Sequence, residues 1–333
     1  MKKCFSRFCF VILILLVCSH GLWAGGGGQA SGTRATGPVN LALATSSSGS
    51  GPHTLGTTIS NVLNSRQDAF RLTAQVSAGF NENMFLVAAN EVAIGMITSY
   101  DLLQAYQEQG QFANNPQFKN LRRLTVYALE HGHQFVRADS GIRTMQDLVG
   151  RRLNVNVPAT ITSVRNRMIL SAFGLSDSDF RIFEIATGGS FDAVRDRVVD
   201  ASFNGLSIGN AALVELASSV PINLIGIPSA EFEIFNRLGG GTFAHGVIPA
   251  NSYRGQTEDV PTWIGVNLLF TNANVDEEAI YQLIKAYWEG LEELARIDIG
   301  FQMVTRDLAT FGPADVPLHP GAARYFREAG LLR

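Results

Sequence analysis

The stretch "VNLALATSSSGSGPHTLGTTISNVLNSR", from Val39 to Arg66, changes character twice. "VNLALAT" is a short apolar run of strand type. Ser46 to Gly51 form a polar, glycine-rich loop. From His53 onward Leu55, Ile59, Val62 and Leu63 recur at helical spacing on one face. Pro52 fits the first position of that helix, with Ser50 or Gly51 as its cap. A strand that runs through such a loop into a helix points unpaired backbone N–H groups outward, and these groups favour an anion. The loop is not a nucleotide loop. Gly51 and Gly56 have P-loop spacing, but Thr57 stands where a lysine is needed. Gly49 and Gly51 are followed by "PHT", so G-x-G-x-x-G fails as well.

The same grammar continues outward. "RLTAQVSA" reads as a strand, "NENMFLVAAN" as a helix and "EVAIGMITS" as a buried strand. It then starts again: "RRLNVNVP" is a strand, "TITSVRNRMILSAFGL" a helix, "RIFEIA" a strand, "SFDAVRDRVV" a helix, "DASFNG" a strand and "NAALVELASS" a helix. Alternation of this kind specifies an α/β chain built on doubly wound parallel sheets. "WIGVNLLFTNANVDEEAIYQLIKAYWEGLEELA" adds one strand and a long helix with no partners for a third lobe, so it returns to complete the first. The expected organisation is a first lobe of residues 38–134 and 262–333 and a second lobe of residues 135–261. A chain that crosses twice between lobes makes a hinge and a central cleft. Open α/β sheets bind ligands beyond the carboxyl ends of their strands, where the Ser46–Gly51 loop lies.

The N-terminus carries its own signal. Lys2, Lys3 and Arg7 precede the apolar "FCFVILILLVC", and "GLWA" offers Ala24 as a cleavage point. This predicts a signal peptide over 1–24 and a periplasmic or other extracytoplasmic protein. An uncleaved membrane anchor and a lipid anchor at Cys18 are the alternatives, although bulky Val17 is a poor residue before a lipidated cysteine. Residues 25–37, "GGGGQASGTRATG", read as a flexible linker. Cys4, Cys9 and Cys18 all lie in the leader, so the mature chain has neither a disulfide nor a Cys-ligated metal. Loss of the leader's three basic residues takes the formal net charge from −3 to −6. A nucleic-acid binder would show a clustered basic surplus instead.

Two motifs have the form of catalytic or metal sites. "GLSIG", Gly205 to Gly209, matches a nucleophile elbow between a strand and a helix, with Asp276 and His319 following in triad order. A secreted serine hydrolase using Ser207 is therefore the competing function, but the preceding strand carries Asp200 and no HGGG-like oxyanion segment appears. His131 and His133 share a strand face without a third metal ligand nearby. They read as a solvated or hydrogen-bonded pair at a lobe boundary. "HPGAARYFREAG" reads as a terminal helix packed on a lobe. No metal or other cofactor is expected.

Taken together, these segments resemble the TAXI-type solute receptors of TRAP transporters, within the type II periplasmic binding proteins. The resemblance covers nearly everything after residue 38. It rests on the glycine/serine loop with Leu55–Gly56, "NENMFLVAANEVAIGMITSYD", "FVRADSGIRTMQDLVGRRLNVNVP", "DRVVDASFNG", "GNAALVELASSVPINLIGIP" and "HPGAARYFREAG". It implies a monomeric, two-lobed, hinge-closing receptor without catalysis. Such a receptor would capture glutamate, 2-oxoglutarate or a similar small carboxylate and deliver it to TRAP permease subunits in the membrane. The first lobe would contribute Ser47, Ser48, Gly49, Ser50, His53, Asn83 and Ser99. The second would contribute Ala159, Thr160, Thr162, Ser163, Asn204 and Gly205. His53 stands where the family has an aromatic residue. The other TRAP receptor branches use an arginine clamp. Here the two Ser/Thr-rich helix starts are expected to hold the carboxylate instead, although Arg165 lies early in the second-lobe helix.

Overall fold

The computed structural model describes residues 37–158 and 160–332. The leader, the three cysteines, nearly all of the linker and Ala159 lie outside the described residues. β1 (Val39–Ala44) runs through the loop into α1 (Gly51–Arg66). β2 (Phe70–Gln75), α2 (Phe80–Ala88), β3 (Ile94–Thr98) and α3 (Ser99–Tyr106) follow. β1 pairs in parallel with both β2 and β3, and every residue of β3 is buried, as a parallel strand covered on two faces requires.

A long strand, β4 (Leu121–Arg137), leads to the second half. There β5 (Arg152–Asn154), α4 (Ile161–Ala172), β6 (Arg181–Phe183), α5 (Thr187–Arg195) and β7 (Ala201–Leu206) repeat the pattern, with β5 parallel to both β6 and β7. α6 (Ala211–Ser219), β8 (Ile222–Leu224), α7 (Ser229–Leu238) and β9 (Phe243–Ile248) complete it. β10 (Val260–Asn272) then runs back, and α8 (Glu277–Ile297) and α9 (Pro320–Glu328) pack together on the first half, with the rings of Trp288 and Phe326 6.5 Å apart.

The fold is the expected two-lobed α/β architecture, with one correction. The two sheets are not separate: the main-chain ladder is continuous, in the order β2-β1-β3-β10-β4-β7-β5-β6. Each end is a parallel triplet, and the antiparallel pair β10–β4 joins them. At about 3.3 Å per residue, the 17 residues of β4 extend about 55 Å, far enough to serve both halves.

The cores show where the chain changes sides. Leu129 and Val266 belong to a cluster with Leu43, Ile59, Phe270 and Tyr287. Phe135 and Trp263 belong to clusters of the second half, with Leu213 and with Phe203 respectively. Between them lie "EHGHQ" (Glu130–Gln134) on β4 and Ile264–Gly265 on β10. Among the described residues, no helix is long and apolar enough to cross a membrane.

Candidate ligand-binding site

Five helices begin at one face of this crossing. β1 ends in a turn closed by the Ser50 N–H on the Ser47 carbonyl, with Gly49 at φ +79°, a conformation cheap for glycine. The Ser50 hydroxyl accepts from the His53 N–H and caps α1. Thr98 caps α3 through the Asp101 N–H, Thr160 caps α4 through the Ser163 N–H, and Asn210 caps α6 through the Leu213 N–H. Gly79 precedes α2 without a side-chain cap. Each cap satisfies one of the orphan donors of a first turn, so the positive ends of the five helices converge.

Between these starts lie two adjoining cavities of about 540 Å³ each, which share Pro52, Phe80 and Ile161. The first is walled by Gly79, Tyr100, Asp101 and Gln104 from one half and by Thr160 and Val164 from the other. The second is walled by Gly49, Thr54 and Asp298 against Thr162, Arg165, Gly205 and Asn210, with Tyr127 and Glu130 of β4 as its floor.

Glu130 organises that floor. Its carboxylate accepts from Arg165 Nη1 at 2.5 Å; the arginine side chain is 2% exposed and the glutamate 20%. The guanidinium also lies 4.1 Å from the centre of the Trp263 ring. Two glycines make room for the pair. A Cβ on Gly265, which faces Glu130 across the β10–β4 ladder, would lie 2.7 Å from Oε1. One on Gly205 would overlap the same carboxylate and lie 2.6 Å from Arg165 Nη2. An arginine is therefore buried in the wall of the cleft, which the sequence reading did not expect, and its charge is already matched.

Asp101 is the other buried acid. Its Oδ2 accepts from the Thr98 hydroxyl at 2.8 Å. Burial pushes its carboxyl up to about 6 and the neighbouring Glu130 adds to the rise, against the Thr98 bond and Arg165, which pull it down. The unfolded carboxyl releases its proton nearer 3.8, so the group favours the folded state below about 4, and that contribution fades as pH rises to about 6. Asp101→Asn keeps an acceptor for Thr98. It should remove this pH dependence and stabilise the protein at pH 7.5 by roughly 1–3 kcal/mol. Urea melts of both proteins at pH 4.5 and 7.5 check this; parallel pH profiles would refute it.

The residues expected at the site, Ala159 aside, divide into three groups. Gly49, Thr160, Thr162 and Gly205 line the cavities. Ser47 and Ser48 sit exposed on the loop, and Ser50 is engaged in its cap. The others are structural. His53 lies behind the loop: the Thr45 hydroxyl donates to the Gln75 carbonyl, so at 2.9 Å it accepts from His53 Nδ1. Asn83 staples the Thr45 and Met96 carbonyls together, and Ser99 donates across the halves to the Thr242 carbonyl. Ser163 accepts from Arg167. Asn204 is held in a buried network with Ser190, Ser202, Thr187 and Asn156.

The triad proposed around Ser207 is not assembled. Ser207 lines the cleft, but Asp276 caps α8 on the Ala279 N–H. Both ring nitrogens of His319 are used at the start of α9, one with the Val275 carbonyl and one with the Gly321 N–H. His133 does not pair with the His131 ring. Its Nδ1–H meets the His131 carbonyl, which leaves Nε2 to accept from the Tyr253 hydroxyl at 2.8 Å. That hydroxyl in turn accepts from the Gly209 N–H beside Ser207. Burial lowers His133 to about 4, in keeping with a neutral ring. Among the described residues, no group of three His, Cys, Asp or Glu side chains is placed to hold a metal.

Comparison with known proteins agrees with the geometry. The model of the NMT1-like family matches residues 43–330, nearly the whole described chain. The chain belongs to the NMT1-like family. Its fold is that of periplasmic binding proteins. The periplasmic sulfonate-binding protein of Methylobacillus flagellatus superposes with a TM-score of 0.51 at 12% identity, covering 89% of this chain and 88% of that one. The aliphatic sulphonate binding protein of Escherichia coli gives 0.50 at 10% identity, with 89% of each chain covered. The extracellular binding protein of an amino-acid ABC transporter from Bacillus subtilis gives 0.50 at 12%, covering 80% of this chain and 98% of that one. In this NMT1-like chain, the loop of the opening stretch is one wall of the cleft.

Proposed function

We propose that this NMT1-like chain is an extracytoplasmic solute receptor that captures a small carboxylate ligand in the cleft and passes it to a membrane permease. The observation that carries the reading is the convergence of five helix starts, from both halves, on a cleft set over a two-strand crossing. Helix starts suit a carboxylate, and a ligand that touches both walls favours a closed arrangement. In this reading residues 38–134 and 262–333 move as one lobe and 135–261 as the other. Gly49, Thr160, Thr162 and Gly205 meet the ligand. The leader is removed near Ala24 during export. The permease is of the TRAP type that the sequence resemblance implies, and the chain does not hydrolyse its ligand.

A thermal-shift screen with amino acids and dicarboxylates tests this reading. A ligand at 100 times its Kd stabilises the folded state by about 2.7 kcal/mol, which raises Tm by several degrees. At least one compound is expected to do so. A panel without any shift would overturn the reading.

A further inference from the structure

The charged residues of the cleft are unevenly placed. Among the described residues lining the first cavity, none is basic, yet it holds the buried carboxyl of Asp101. In the second cavity the one basic residue, Arg165, is held by Glu130 at 2.5 Å and by the face of Trp263. Asp298 adds another acid at its rim. A dianion would therefore meet two acids and no free cation. The second cavity still has polar groups to offer. Arg165 and Tyr127 both line it, together with residues at the starts of α1, α4 and α6, and Arg165 Nε and the Tyr127 hydroxyl are buried without a hydrogen-bond partner. Such groups are costly to leave unpaired, and an oxyanion would satisfy them.

We propose that the cleft selects a net-neutral zwitterion, with its oxyanion in the second cavity near Arg165 Nε and Tyr127 and its cationic nitrogen in the first, against Asp101. This assignment rests on the receptor reading and narrows its ligand class. Phe80 and Ile161, common to both cavities, flank the short apolar body that joins the two charged ends. The separation of acid from oxyanion donors, one cavity apart, distinguishes such a ligand from a dicarboxylate of the same length.

Calorimetric titration with three probes of matched length tests this: 5-aminopentanoate, glutamate and glutarate, in wild type and in Asp101→Asn. In wild type 5-aminopentanoate should bind roughly 10- to 100-fold more tightly than glutarate, the worth of one charge-assisted contact, with glutamate between them. Asp101→Asn keeps the acceptor for Thr98, so it should fold. It should abolish most of that preference by weakening the amine and not glutarate. Glutarate binding as tightly as 5-aminopentanoate in wild type would overturn the proposal while leaving the receptor reading intact. So would an unchanged preference in Asp101→Asn. Binding of none of the three, with a thermal shift from some other compound, would overturn the proposal alone. A complete absence of binders would overturn both.

Discussion

Glu130→Ala is expected to destabilise the ligand-free protein by about 3 kcal/mol, the lower end of the range for removing one member of a buried ion pair. The size follows from what is left behind. Arg165 is 2% exposed, stacked on Trp263, and has no other acid at hydrogen-bonding distance among the described residues. Alanine would strand its charge. Glu130 is itself partly open to the cleft, so water recovers some of the loss and the upper end of the range is not reached. Glu130→Gln, which keeps an oxygen for Nη1, should cost less. Removing both partners should cost less than the sum of the single changes, because the second removes the stranded charge. Urea denaturation of the two single variants and the double variant measures this coupling. A Glu130→Ala protein within about 0.5 kcal/mol of wild type would mean that the pair contributes nothing to the fold.

Gly205→Ala should cost roughly 2–4 kcal/mol and should also abolish ligand binding. The added methyl would fall on the Glu130 carboxylate, which can move aside only by giving up its short contact with Arg165, whose guanidinium is backed by Trp263. The ion pair must open or β7 must shift, and either change distorts the wall that carries Ser207 and Asn210. Gly188→Ala is the control. It meets nothing within 4 Å and lies in the first turn of α5, so it should change stability by less than about 0.5 kcal/mol. Equal stability and equal ligand affinity for the two variants would refute this account of the floor.

These effects concern residues that periodicity does not reveal. The strand–helix alternation was legible wherever an element served one core. β1 reads as a short apolar run and α1 as a helix with one apolar face, because both pack in the same single core. β4 did not read as one element. Its first part packs in one core and its last part in the other, and "EHGHQ" passes between them, so no single period runs through it. The antiparallel join that fuses two sheets into one was hidden for the same reason. At the site, the loop and the start of α4 were legible because capping has a local signature. Asn83 and Asn204 look like ligand contacts in sequence because a buried amide that staples main-chain carbonyls, as Asn83 does, or joins a side-chain network, as Asn204 does, has no sequence feature that separates it from one that faces a cleft. Glu130 and Arg165 are far apart in the chain, and only the crossing strands bring them together. The short "EHGHQ" does hold the decisive residue, but the reading weighs only its two histidines and passes over Glu130.

The central claim is that the two halves close on a small ligand in this cleft. Small-angle X-ray scattering of the mature protein tests it most directly, with and without a saturating amount of whichever compound gives the largest thermal shift. Hinge closure over a bridging ligand predicts a smaller radius of gyration in the bound state. Superimposable curves at saturation would contradict it.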